Sequence, residues 1–146
     1  MATHSTQIVP RFGELDPYNH VNHAVYVSYF EAARCVALED VGMALPDLSD
    51  ENVQIVVTNL EVRFREPATA RDTLRIETEV AELRRASTKW NQRIIREADD
   101  TVLVQAQLTA AVCDNAGKPR RPPPDFMSRL EALIPDETTG ESPPQY

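Results

Sequence analysis

Between residues 102 and 112, Val102, Val104, Ala106, Leu108, Ala110 and Val112 recur at every second position, with Gln105, Gln107 and Thr109 among the intervening residues. That period is the signature of a strand with one face buried, and such a strand cannot stand alone in water. Two earlier segments repeat it: Leu74, Ile76, Thr78 and Val80 alternate with Arg75, Glu77 and Glu79, and Thr88, Trp90, Gln92 and Ile94 alternate with Lys89, Asn91 and Arg93. A fourth opens with the apolar run Ile55 to Val57, continues as Leu60, Val62 and Phe64 against Glu61, Arg63 and Arg65, and stops at Pro67. Short links, among them the Asp99-Asp100 turn, predict an antiparallel meander, and Asn115-Ala116-Gly117 ends it. The apolar face of that sheet needs a cover.

One segment supplies it. From Asn22, Val25, Tyr29, Ala32 and Val36 recur at helical spacing, and so do Tyr26, Phe30, Ala33 and Ala37. Two adjacent apolar stripes predict a mostly buried helix, capped by Asn22, ending near Asp40 and stopped at Gly42. Its polar stripe is Ser28, Glu31 and Arg34, the last two spaced to pair. Residues 7 to 15, with Val9, Pro10 and Phe12, suit a first short edge strand. Residues 43 to 54 read as a polar loop. The fold class is α+β, an antiparallel sheet around one long central helix. With 146 residues the chain has room for one core, assigned to residues 1–124. After the spacer PRRPPP, Asp125 opens a short helix over 125–134, and 135–146 are expected to lack structure.

Composition removes whole classes. No apolar run approaches the roughly 20 residues a membrane span requires, and MATHSTQIVP has neither a basic nor an apolar leader region, so no membrane is implied and the cytoplasm is the default. Cys35 and Cys113 have no CxxC spacing and read as packing residues. A formal net charge of −8 opposes nucleic acid, so a phosphate-bearing ligand needs a local basic patch. The stretch LRRAST offers Arg84, Arg85 and Ser87, with Lys89 following; a solvated hairpin end is the competing explanation. Arg120 and Arg121 are a second pair.

GxSxG, P-loop, HExxH and GxGxxG motifs are absent, and polar chemistry gathers instead in RFGELDPYNHVNHAVYVSYFEAAR, residues 11 to 34. There Asp16, His20, Asn22 and His23 precede or open the buried helix. A helix N-terminus presents unpaired N–H groups that stabilise an oxyanion, and a carboxylate beside it supplies a base or a nucleophile. Asp-Pro is also a favoured turn opener, His20 can simply brace the loop, and Asn22 is first of all an N-cap. His20 and His23 straddle the helix start rather than sharing a face, which speaks against a metal site.

This segment resembles the signature of the 4-hydroxybenzoyl-CoA thioesterase and YbgC-like hotdog family: an Asp, then HVN, then a Tyr-rich helix ending FExAR. Asp16, His20, Val21, Asn22, Tyr26, Phe30, Glu31, Ala33 and Arg34 match. REPATARDTL and DNAGKP extend the resemblance to about Pro124. It implies a hotdog fold and a thioesterase acting on acyl-CoA, with coenzyme A part of the substrate and no separate cofactor. It also implies Asp16 as nucleophile or general base, an oxyanion amide at or near His23, CoA contacts from Arg84, Arg85, Ser87 and Lys89, and a homodimer or homotetramer with sites between protomers. Tyr26, Tyr29 and Phe30 then read as core or acyl-pocket wall. Asn19 and His23 stand where the family's common pattern has Gly and Asn; Asn19 can adopt the left-handed backbone Gly would supply. NHVN is also similar to plant acyl-ACP thioesterases, so an acyl-ACP substrate is the rival, and a noncatalytic acyl-CoA binding module is a third reading.

Overall fold

Helix α1 (His23–Asp40) forms where the two stripes predict it. Asn22 caps it, its Oδ1 accepting the Ala24 N–H at 2.9 Å, and Gly42 ends it at φ +78°. The computed structural model describes residues 3–135; the expectation for 135–146 falls, beyond Pro135, outside the described residues. In chain order the elements are β1 (His4–Ile8), a 3-10 turn (Phe12–Glu14), α1, α2 (Leu45–Asp50), β2 (Gln54–Phe64), β3 (Leu74–Leu83), β4 (Ser87–Arg96), β5 (Thr101–Cys113) and α3 (Pro124–Leu130), followed by a 3-10 turn (Glu131–Leu133).

Strands β3, β4 and β5 form the expected antiparallel meander. The sheet order is β1-β3-β4-β5-β2, so β2 does not neighbour β3 but crosses to the far edge and pairs with β5. Thr58 bulges in that pairing, between Val57 and Asn59. β1 lies earlier than expected: His4–Ile8 pairs with Leu74–Thr78, and Pro10, which has no N–H to give a ladder, precedes the turn at Phe12–Glu14 rather than a strand. Residues 45–50, read as loop, are helical, with Pro46 in the first turn and only Leu48 buried. The last helix starts at Pro124 with Pro123, not Asp125, at the cap position.

The core has two parts along α1. Phe30, Ala33, Tyr26 and Tyr29 pack on Leu74, Ile76, Ile94, Val104 and Ala106 at one end. Ala37 and Leu38 pack with Trp90, Leu108, Val112, Phe126 and Leu130 at the other. Of the two predicted stripes, Tyr26, Phe30, Ala33 and Ala37 are buried, whereas Ala32 and Val36 are exposed, so in the single chain one flank of the helix is open. Arg34 does not pair with Glu31 at the surface; its Nη1 donates to Oε1 of the fully buried Gln92 at 2.9 Å. Gln92 Nε2 in turn donates to Phe30 O and Thr78 Oγ1, a satisfied network that ties the helix to the middle of the sheet. Among the described residues no helix is long and apolar enough to cross a membrane.

Candidate active site

The loop from Arg11 to Asn22 folds back on itself before α1. Asp16 N–H donates to His20 O at 2.7 Å, and Leu15 bridges Val21. The Asp16 Oδ1 accepts the N–H groups of Tyr18 at 2.9 Å and His20 at 3.1 Å. Asp16 therefore does make the turn that Asp-Pro suggests, but with one carboxylate oxygen; Oδ2 has no hydrogen-bond partner among the described residues. Asn19 takes φ +61°, the left-handed conformation expected of it. A second segment meets this loop: Val21 N–H donates to Ala68 O, and His20 bridges Thr69.

At the helix start the first-turn amides are distributed unevenly. Ala24 N–H goes to Asn22 Oδ1 and Val25 N–H to Asn22 O. The N–H of His23 has no acceptor among the described residues, and it carries the positive end of the helix dipole. The His23 ring is exposed and meets Phe64 edge-on, centroids 6.2 Å apart. Tyr26, one turn on, contacts the same Phe64 at 5.8 Å. Its hydroxyl oxygen accepts the Ala68 N–H at 2.9 Å. Burial chiefly pushes the Tyr26 phenol above its ordinary range, with Asp16 and Asp72 adding to the effect.

Asp16, His20, His23, Tyr26, Phe64 and Pro67 thus surround one cleft of about 260 Å³. A larger cavity of about 420 Å³ lies between α1 and β2, walled by Val27, Cys35, Leu38, Ile55 and Leu60, with Glu31 and Arg34 at its edge. Asn22 serves as the cap and does not line the cleft. Arg84, Arg85, Ser87 and Lys89 lie on the β3–β4 hairpin, where Arg84 and Lys89 pair with Glu82. β3 runs from beside the Asp16 end at Leu74 to that hairpin at Leu83, about 30 Å at strand rise, so one chain does not bring this patch to Asp16. Arg120 is occupied structurally, donating to Glu51 O and Asn52 O behind α2. The residues missed from sequence are Phe64 and the wall Arg65, Glu66 and Pro67, delivered by the end of β2 and the link after it; alternation along β2 places Phe64 with Leu60 and Val62 but does not mark it as a cleft residue.

Asp16, with one carboxylate oxygen unengaged, and His23, whose helix-start N–H is unengaged, line the same cleft, residues of the kind suited to attack on a carbonyl whose oxygen takes up negative charge. The thioesterase-like superfamily model matches residues 10–130. The long-chain acyl-CoA thioesterase FadM of Escherichia coli (strain K12) is 33% identical, over 75% of this chain and 82% of that protein. The acyl-CoA thioester hydrolase YbgC of Escherichia coli O6:H1 is 31% identical over 82% and 90%. A probable thioesterase from Bartonella henselae superposes with TM-score 0.79 at 30% identity, covering 84% of this chain and 100% of that one. The chain belongs to the thioesterase-like superfamily and has its hotdog fold.

Proposed function

We propose that this chain hydrolyses acyl-CoA thioesters to free acid and CoA, with Asp16 as the reacting carboxylate. The observation that carries the reading is the cleft in which Asp16, one carboxylate oxygen unengaged, and the open end of α1 at His23 are brought together. The relatives named for acyl-CoA hydrolysis support the substrate class. Asp16 either attacks the thioester carbon, expelling the thiolate and forming a mixed anhydride that water then hydrolyses to the free acid, or takes a proton from a water that attacks the carbon and expels the thiolate; either route develops charge on the carbonyl oxygen, which the His23 N–H stabilises. The leaving thiolate, from a thiol of pKa near 8.5, requires no general acid; the cleft's second carboxylate, Glu66, is paired with Arg96. Base action contributes roughly 10² to 10⁴-fold and one oxyanion donor roughly 10² to 10³-fold. The imidazoles of His20 and His23 orient the carbonyl or water.

The working unit in this reading is at least a homodimer, and a homotetramer if a second face is buried. β2 is an eleven-residue edge strand with Val56, Val57, Leu60 and Phe64 all exposed, a surface that invites a second copy. Antiparallel pairing of β2 with its own copy reverses the strand ends. It brings the second copy's Arg84, Arg85, Ser87 and Lys89 to the Asp16 end, three strand spacings or about 15 Å away, within reach of a CoA nucleotide. The test is free-thiol release from a panel of acyl-CoA and acyl-ACP substrates. Turnover of acyl-CoA is expected; turnover of acyl-ACP alone would transfer the assignment to the carrier-protein substrate, and binding without turnover would make the chain a binding module.

A further inference from the structure

Asp16 sits on a loop whose two aromatics stay in solvent, Phe12 93% exposed and Tyr18 78% exposed, and whose apolar anchors are the partly buried Leu15 and the buried Val21. The bonds that Asp16 accepts from Tyr18 and His20 shape the loop internally but move with it. Backbone links at Val21–Ala68 and His20–Thr69 tie the loop's C-terminal side to the 68–69 segment; the side chain that reaches from the loop to the middle of α1 is Glu14. Its Oε1 accepts the Arg11 N–H at 2.8 Å and the Tyr29 hydroxyl at 2.8 Å, while its backbone carbonyl accepts the Asn22 N–H. Tyr29 is 3% exposed and lies six residues into α1 from His23, about 9 Å along the axis. Burial first, and the Glu14 carboxylate second, hold the Tyr29 phenol above its ordinary range, so it stays a hydrogen-bond donor. Its ring meets that of Tyr26 edge-on, centroids 6.3 Å apart, and Tyr26 holds the opposite wall of the cleft through Ala68 N–H.

We propose that Glu14 and Tyr29 are positioning residues: their hydrogen bond pins the Asp16 loop to the same helix whose first amide receives the oxyanion, fixing carboxylate and amide relative to each other. The proposal rests on Asp16 being the reacting carboxylate. Helix α1 then acts as a common frame, with Tyr29 holding one wall and Tyr26 the other. Tyr29→Phe removes the pin and keeps the packed ring; Glu14→Ala removes it from the loop side; Glu14→Gln keeps an oxygen that accepts both donors.

The experiment measures kcat, KM and thermal midpoint for Tyr29→Phe, Glu14→Ala, the double variant and Glu14→Gln, with Asp16→Asn alongside, on an acyl-CoA that the wild type turns over. Misplacement of a reacting group by about an ångström costs up to about 10²-fold, so kcat of Tyr29→Phe and Glu14→Ala falls by about 10 to 10²-fold with KM little changed. The double variant is no slower than Glu14→Ala alone, because both remove one interaction. Glu14→Gln recovers wild-type kcat within about threefold, the scale of ordinary context effects on a retained hydrogen bond. A lowered thermal midpoint with unchanged kcat overturns the proposal, as do multiplicative losses in the double variant. Wild-type turnover in Asp16→Asn overturns the reading beneath it, whereas a dead Asp16→Asn with unimpaired pin variants overturns only the positioning role.

Discussion

Proline at residue 23 deletes the proposed oxyanion donor while leaving the helix able to form. His23 is the first helical residue after the Asn22 cap, a position where proline is well tolerated because its N–H has no intrahelical acceptor and its fixed φ suits the turn. Asn22 already lies at φ −58°, ψ 135°, the extended geometry preferred before proline. His23→Pro therefore removes one N–H and one imidazole, and His23→Ala removes the imidazole alone, so their ratio isolates the amide. One oxyanion donor is worth about 2.7–4 kcal/mol, or 10² to 10³ in kcat. We expect kcat of His23→Pro to fall below that of His23→Ala by about that factor, with a thermal midpoint within a few degrees of wild type. Release of CoA thiol under saturating acyl-CoA reads kcat, and far-UV circular dichroism confirms the helix. A proline variant as fast as the alanine variant would refute the assignment of this amide.

Asn22→Ala loses the bond to Ala24 N–H and is expected to cost about 1 kcal/mol in urea unfolding. Trp90, 1% exposed in the core and donating to Thr88 Oγ1, should cost about 3–5 kcal/mol when replaced by alanine, read by circular dichroism because no other tryptophan exists. Asp99, held chiefly by Arg96 and then by Thr101, titrates at about 2 against an ordinary 3.8. A depressed carboxyl stabilises the fold above its unfolded value, so this contribution is present above about pH 4 and lost as pH falls toward 2. Carboxyl NMR of Asp99 should show that low midpoint, moving up in Arg96→Gln. Leu60→Lys on the β2 edge is expected to yield a smaller species in sedimentation with reduced turnover; an unchanged assembly would remove β2 as the contact.

Sequence pattern made β3, β4, β5 and α1 legible because each buries one face, and a buried face imposes a period; β2 shows its apolar residues in the sequence although Val56, Val57, Leu60 and Phe64 are exposed in the single chain. β1 escaped since its inward positions are His4, Thr6 and Ile8, of which only one is apolar. α2 escaped because a six-residue helix with a single buried side chain has no period to display. The crossing of β2 to the far edge is a property of the link between β2 and β3, not of any local signal. At the site, HVN and the preceding Asp-Pro located the loop and the cap, and Asn19 took the backbone expected of it. The wall formed by Phe64 and residues 65–67 depends on contact with a segment distant along the chain, and the Glu14–Tyr29 bond, although both residues lie within 11–34, depends on how the loop folds back on α1, which no periodicity displays.

The proposed hydrolysis stands on a reactive Asp16 carboxylate. Asn at position 16 retains an oxygen to accept from Tyr18 and His20, so the loop keeps its shape while the charge is lost. Steady-state acyl-CoA hydrolysis by Asp16→Asn is predicted to show kcat at least about 10²-fold below wild type at an unchanged thermal midpoint. Wild-type kcat in that variant would contradict it.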